Sequence, residues 1–340
     1  MRGSRLFPLA SMPQECGSAG VIGEISHPGR LRRHLERRYL ALNRWFWSHL
    51  PESVAGWRPV IAYGHHLNTL VQRREMRAQR LGTFFFRNRP ELELLTRIAG
   101  RLPRGSTLDM AIVACSKGPE VYSISYAIRS ARPDLILRIC AIDIASDILS
   151  FAAAGVYSLR PQTSQKRRLD STAQADEITF NTERDQKDSI FERISPAEIR
   201  EMFDHDGDNV RVTPRFREGI TWNVGDARDP ELVTSVGRHD IVIANRFLCH
   251  MNPSEAEQCL RNVARLVRPG GYLFASGVDL SVRSHVAREL GWRPVTDLIA
   301  DIHEGDPSLR RDWPLQYWGL EPFDSTRADW HIRYASVFQI

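Results

Sequence analysis

Three features of this 340-residue chain predict an α/β fold with a doubly wound, mostly parallel, Rossmann-like sheet. The first is an alternation of short apolar runs with helix-forming stretches from residue 107 onward. The second is an apolar run, Met110 to Ala114, broken by Ser116, Lys117 and Gly118 just where a helix opens. The third is a second β-like run, Leu135 to Ile142, that ends on Asp143. A strand, a Gly-containing turn, a helix and a strand tipped with an acid form the βαβ arrangement that binds a nucleoside, with the acid on the ribose hydroxyls.

The elements follow in order. Strand 107–114 leads to helix 119–131, for which Ser116 is the candidate N-cap, Pro119 the first helical residue and Glu120 a carboxylate near the N-terminus. Strand 135–142 and helix 145–154 come next, then strand 240–244, helix 253–267 and strand 271–276, with a last antiparallel pair near 294 and 332–339. Between them, 160–225 reads as an inserted small β-subdomain. It is polar at first (RPQTSQKRRLDSTAQADE) and β-prone around Val210 to Val212 and Ile220 to Trp222. Its stretch 161–185 is expected to be partly mobile.

The cofactor is not read as a dinucleotide, because G-x-G-x-x-G is missing and a pyrophosphate needs several glycines for close backbone approach. One glycine and a nearby Glu120 remain. That carboxylate repels phosphate and attracts a cation. An amino-acid ammonium beside a sulfonium, as in S-adenosylmethionine, fits this chemistry, and NAD does not.

An ordered set of motifs narrows the reading: TFFFRN at 83–88, ACSKGPEVYS at 114–123, AIDI at 141–144, IVIANRFLCHM at 241–251 and RPGGYLFASG at 268–277. With T-x-F-F-R, S-x-G-x-E-x-Y-S, the strand-end Asp143, the A-x-x-G-x-Y-S that ends at Ser158 and P-G-G-Y-L-F, the chain resembles the chemotaxis-receptor glutamate methyltransferases, the CheR-type family, from about Leu81 to Gly277. The resemblance implies a seven-stranded class I methyltransferase sheet and S-adenosylmethionine as cofactor. It implies Thr83 and Arg87 at the cofactor's methionine end, Glu120 on its ammonium group and Asp143 on its ribose. Ala114, Ser116 and Gly118 line the turn beneath it, and Asn223 and Val224 in TWNVGD stand at the adenine side. Asn245 and Arg246 occupy the place of the family's Arg-Asn pair, in reversed order, and His250 stands where the family has a Tyr that positions the acceptor. Lys117 and Pro119 replace a Thr and a Glu of the family's glycine loop.

Transfer of a methyl group from a sulfonium is an in-line displacement, so the protein's main task is to hold the acceptor about 3 to 3.5 Å from the methyl carbon. A carboxylate acceptor is already nucleophilic, and Arg87 or Arg246 would orient it with a two-pronged hydrogen bond. An amine or hydroxyl must lose a proton, and His250 is then the candidate base. The catalytic candidates are therefore Arg87, Arg246 and His250. Three functions stay open: a protein-glutamate O-methyltransferase acting on a chemoreceptor or related signalling protein, a methyltransferase for a small molecule or another protein group with His250 as base, and a non-catalytic S-adenosylmethionine-binding regulator. The aromatic segment with Trp313, Tyr317, Trp318 and Trp330 either roofs an acceptor pocket or buries against the sheet edge.

Composition is that of an ordinary globular protein, 42% hydrophobic and 26% charged. Five cysteines, odd in number and never spaced as C-x-x-C, predict free thiols in a reducing compartment and a cytoplasmic location. No metal is expected: the acidic run DHDGDN at 204–209 lacks the Gly and Glu of a calcium loop at 209 and 215 and reads as a hairpin turn. No membrane insertion is expected, and the start of the chain does not read as a signal peptide. Residues 1–22 read as a disordered tail, 23–100 as a basic helical module and 101–340 as the methyltransferase domain. The net charge of +5 is uneven, since residues 1–104 carry 18 arginines against seven acids. A helix over 30–49 would place Leu31, Leu35, Leu42 and Phe46 on one face, with Trp45, Phe46 and Trp47 in a core stripe and Arg30, Arg33, Arg37 and Arg44 mostly elsewhere. A second basic helix carries Arg73, Arg74, Arg77 and Arg80. These helices either dock an acidic, receptor-like protein or are solvated faces; nucleic acid is not an expected partner.

Overall fold

The computed structural model describes residues 28–74, 77, 82–159 and 190–340. The tail expected over 1–22 and the mobile stretch expected over 161–185 lie outside them. The chain divides into two compact units, Met1–Val54 and Ala55–Ile340. In the first, α1 (Pro28–Ser48) is a single long helix. The core stripe expected on it is not formed, for Leu35, Leu42, Trp45 and Phe46 are all exposed. Among the described residues of its own unit, α1 is the only long helix, with no opposing apolar face. A short helix, α2 (Glu52–Ala55), spans the unit boundary.

The second unit contains α3 (Arg58–Arg74), α4 (Arg89–Gly100) and the whole sheet. Charge grouped α3 and α4 with the basic N-terminal stretch, but packing follows the apolar face. Leu94, Leu95 and Ile98 of α4 share one core with Val121, Ile124 and Ile128 of α5 (Pro119–Ala131) and with Met110 and Ile112 of β1 (Thr107–Val113). The other face of the sheet is covered by Leu260 and Val263 of the helix Pro253–Ala264 and by Val286 of the helix Leu280–Glu289.

The strands are β1, β2 (Ile136–Asp143), β3 (Val156–Ser158), β4 (Phe203–Asp206), β5 (Asn209–Val212), β6 (Ile220–Val224), β7 (His239–Ile243), β8 (Val267–Phe274), β9 (Arg293–Pro294) and β10 (Val337–Gln339). Seven form one sheet in the order β6-β2-β1-β7-β8-β10-β9. From β6 to β8 all pairs are parallel; β10 joins β8 and β9 in antiparallel fashion. This is the doubly wound class I methyltransferase sheet. Strand order reverses between β1 and β7, and ligands of such sheets bind in the crevice at the carboxyl ends beside that reversal. Helix α6 (Ser146–Ala154) follows β2.

The predicted elements shift in three places. Residues 220–224 do not belong to the inserted subdomain but pair in parallel with β2, Ile142 opposite Asn223 and Asp143 opposite Val224. An edge strand five residues long carries too short a pattern to reveal its partner. The inserted sheet is smaller, ordered β3-β5-β4, and DHDGDN forms its hairpin turn with Gly207 at φ 59°. Near the end of the chain, Trp330–Arg333 is helical and only β10 is strand.

Candidate functional site

At the end of β1 the backbone is bent by left-handed residues, Ala114 at φ 57°, Ser116 at φ 50° and Gly118 at φ 91°. Non-glycine residues adopt this region at a cost, and it concentrates at sites. The bend turns the Ser116 N–H onto Asp143 Oδ2 at 2.8 Å, and Asp143 Oδ1 accepts from the Ala145 N–H at 3.2 Å. Asp143, buried at the tip of β2, therefore braces the loops after β1 and β2. Ser116 is not the expected N-cap, because that position falls to Gly118. A β-carbon there would stand 3.1 Å from Ala152 Cβ and 3.2 Å from the Tyr157 hydroxyl, so glycine meets both the conformation and the space. The Tyr157 hydroxyl also donates to the Lys117 carbonyl at 2.7 Å, fixing the loop from below.

A second group of polar residues is buried at the ends of β7 and β8. Asn245 donates from Nδ2 to Glu91 Oε1 at 2.5 Å and to Glu120 Oε1 at 3.0 Å. Its Oδ1 accepts from the Ser276 N–H at 2.9 Å and hydroxyl at 2.8 Å, and the backbone donor fixes which way the amide faces. Glu91 reaches the site because Asn88 caps α4, accepting from the Glu91 N–H, and Pro90 sits in the first turn. Arg246, at φ 64°, is tied by its N–H to the Ser276 carbonyl at 2.9 Å. Its Nη1 is buried without a hydrogen-bond partner, and so is Glu91 Oε2.

These groups perturb one another. Burial and then the Glu120 carboxylate push Glu91 up to about 8, and burial also raises Glu120 against the pull of Arg87. Burial and then Arg246 lower the Arg87 guanidinium. Burial would raise Asp306, but the Arg246 and Arg193 guanidiniums hold it below its usual range. Arg193 also donates to the Arg87 carbonyl at 2.7 Å and to Asp306 at 3.0 Å, holding the strap 82–88 in place.

Arg87, Glu91, Glu120, Asn245, Arg246 and Asp306 line one cavity of about 40 Å³. It has room for a few water-sized groups, such as the charged end of an amino acid, and not for a nucleoside. A nucleoside reaching it would lie outside, over the ends of β1, β2 and β6, where Asp143, Asn223 and Val224 stand. The structure thus brings together Arg87, Glu120, Asn245 and Arg246 in the cavity, and Ala114, Ser116, Gly118, Asp143, Asn223 and Val224 along the neighbouring strand ends. Thr83 is half-buried on the strap and lines neither this cavity nor the next.

His250 is also absent from both. Its Nδ1 lies 2.8 Å from the Tyr317 hydroxyl, and Tyr317 and Trp318 line a second, polar cavity of about 190 Å³ that shares Gly277 and Leu320 with the first. His250 thus stands behind Tyr317 rather than on the lining of either cavity. It sits on a single 3₁₀ turn, Leu248–His250. Of the phenylalanines, Phe85 is fully buried against Tyr157, Phe191 and Phe203, while Phe84 lines the first cavity beneath the Arg193 guanidinium. Cys115, Cys140, Cys249 and Cys259 are free thiols, and burial raises the Cys115 thiol far above its ordinary value.

Residues 82–185 match the family described as "CheR methyltransferase, SAM binding domain", and 198–275 match a general methyltransferase domain. The stretch 82–185 of the chain is similar to the SAM-binding domain of CheR-type methyltransferases. S-adenosylmethionine is the cofactor of this domain. The chain is similar to the probable biofilm formation methyltransferase WspC of Pseudomonas aeruginosa, 23% identical over 207 residues, covering 59% of this chain and 42% of WspC. It is also similar to a chemotaxis protein methyltransferase of Listeria innocua, 24% identical over 200 residues, covering 57% of this chain and 63% of that protein. The chain thus spans less than half of WspC and under two thirds of the Listeria chemotaxis protein methyltransferase. Among solved structures, the CurJ carbon methyltransferase aligns with a TM-score of 0.33 and 13% identity over 73% of this chain and 52% of that one. The sheet order itself defines the fold class.

Sequence reasoning missed Glu91, Asn88, Ser276 and Asp306. The pattern PELELL reads as an amphipathic helix start, and Glu91 as a first-turn acid stabilised by the helix dipole. Only its burial opposite Asn245 reveals a site group. An acid at a cap-plus-three position, three residues past the TFFFRN motif, was the available signal.

Proposed function

We propose that this protein transfers the methyl group of S-adenosylmethionine to a protein carboxylate, the side chain of glutamate in a chemoreceptor or related signalling protein. The observation that carries the reading is the buried, unpartnered Nη1 of Arg246, on the same cavity as Arg87. A guanidinium nitrogen kept from water and from protein acceptors is a donor waiting for an anion. The cofactor's zwitterionic end fits the same cavity, its carboxylate on Arg87 and its ammonium on Glu120, which Asn245 orients. Asp143 would hold the ribose, and Asn223 and Val224 flank the adenine. When bound, the cofactor supplies an already activated sulfonium methyl group. The chain's residues need only exclude water and align the acceptor; a carboxylate requires no base, and His250 offers none to the cavity. The amine or hydroxyl reading loses its support for that reason.

The arginine-rich segment before residue 104 supports docking of an acidic partner by the proposed module 23–100, whose last stretch, the strap and α4, also brings Arg87 and Glu91 to the cavity of the proposed catalytic domain 101–340. Among the described residues no helix is long and apolar enough to cross a membrane. A cytoplasmic setting, suggested by the free thiols, belongs to this reading.

The test is incubation of the full chain with methyl-labelled S-adenosylmethionine and purified cytoplasmic fragments of chemoreceptors. Label released as methanol by mild alkali supports a carboxyl ester, and alkali-stable label overturns it. Cofactor binding with no labelled acceptor would instead favour a regulator. Asp143→Ala is expected to weaken S-adenosylhomocysteine binding by about 1 to 3 kcal/mol, roughly 5- to 150-fold, read by calorimetric titration.

A further inference from the structure

The first cavity holds one carboxylate more than a single ammonium contact needs. Glu91 and Glu120 are tied to the same Asn245 nitrogen, so both of its hydrogens are used, and Ser276 prevents the amide from turning round. Two buried carboxylates so close to each other cannot both stay ionised without a cation between them. Glu91 Oε2 is buried and has no partner. An ammonium group, with three hydrogens, would supply both the cation and the missing donor.

We propose that Glu91 is a second acceptor for the cofactor's ammonium group and that it releases its proton to solvent when the cofactor binds. The inference rests on the proposed placement of that ammonium at Glu120. The O–H bond of the Glu91 carboxyl breaks, the proton leaves to water, and an N–H of the ammonium takes its place at the carboxylate.

The surroundings make Glu91 the group that titrates near neutrality. With its carboxyl at about 8, it is mostly protonated in the free protein at neutral pH. Facing it are Glu120 from α5, Arg87 from the strap and Arg283 from the helix Leu280–Glu289, whose guanidinium burial lowers to about 9. Further round the wall, burial holds His303 at about 4, so it is neutral throughout, and Asp306 is held ionised beside Arg246 and Arg193. Burial raises the Tyr334 phenol well out of range. A carboxyl that starts protonated and ends ionised makes binding tighter as pH rises towards about 8.

The experiment is calorimetric titration of the full chain with S-adenosylhomocysteine in phosphate and in Tris, whose ionisation heats differ, at about pH 7 and about pH 6. About one proton is expected to be released per ligand at neutral pH, with affinity falling nearly tenfold at the lower pH. In Glu91→Gln both effects should disappear, while the ligand's own titration stays common to both proteins. No proton release by the unaltered chain, or release undiminished in E91Q, overturns the inference and leaves cofactor binding itself standing. Failure of the unaltered chain to bind the ligand would instead bring down the cofactor placement and this inference with it. If E91Q does not fold, E91D should shift the protonated-carboxyl band lost from the infrared difference spectrum on binding. An unmoved band places the proton elsewhere and overturns the assignment.

Discussion

Replacing Arg246 by alanine is expected to lower turnover on a carboxylate acceptor by about 10²- to 10³-fold, with S-adenosylhomocysteine affinity changed by no more than about threefold. The asymmetry follows from how the residue is held. Its backbone is locked at φ 64° and by the bond to the Ser276 carbonyl, while Gly277 packs so closely that a β-carbon would lie 2.8 Å from Arg246 Cα. The side chain therefore enters the cavity in one direction, with Nη1 unpartnered. Removing it deletes a donor to the acceptor but leaves Glu120, Asn245 and Asp143 in place. Steady-state kinetics and calorimetry on R246A separate the two effects. A loss in affinity equal to the loss in turnover would move Arg246 to the cofactor and defeat its assignment to the acceptor.

The second large effect is on stability. Glu321 receives two bonds from Arg333, at 2.5 and 2.7 Å, and an ion pair from His65 of α3 at 3.1 Å. Burial alone would raise its carboxyl, but these partners hold it at about 2. Because the folded value is depressed, the stabilisation is fully present above the ordinary carboxyl value of 4.5 and is lost as pH falls towards 2. The gap amounts to on the order of 3 kcal/mol. Glu321→Gln is expected to lose about that much at neutral pH and to flatten the acid limb of the stability curve, measured by urea unfolding across pH. An unaltered acid limb in E321Q would show that the clamp between α3 and the C-terminal segment adds nothing. Glu321 and Arg333 line the second cavity and Tyr334 the first, so the same clamp shapes both.

The aromatic segment near the end of the chain shows where burial decided between two readings. Trp313, Tyr317 and Trp318 are all buried, and the latter two also line the second cavity, so packing and roofing coincide there. The α1 helix shows the reverse. Its apolar residues recur at helical spacing, but periodicity cannot say whether an opposing surface exists, and Leu42 and Trp45 are exposed.

What the sequence determined by itself was local and covalently close. Pro119 at the helix start, Gly118 where no side chain fits, Asp143 at a strand tip and the alternation of strand with helix each follow from the preferences of a few neighbouring residues, and the helix 119–131 was read to its ends. The motif order added the cofactor. Tertiary structure decided what depends on residues distant in the chain. It placed β6 beside β2, set His250 against Tyr317, and joined Glu91 to Asn245 across 154 positions. The physical reason is that charge and reach are set by burial and by the partner that burial supplies. A glutamate in the first turn of a helix is a surface acid in water and a proton-holding group beside a second buried carboxylate.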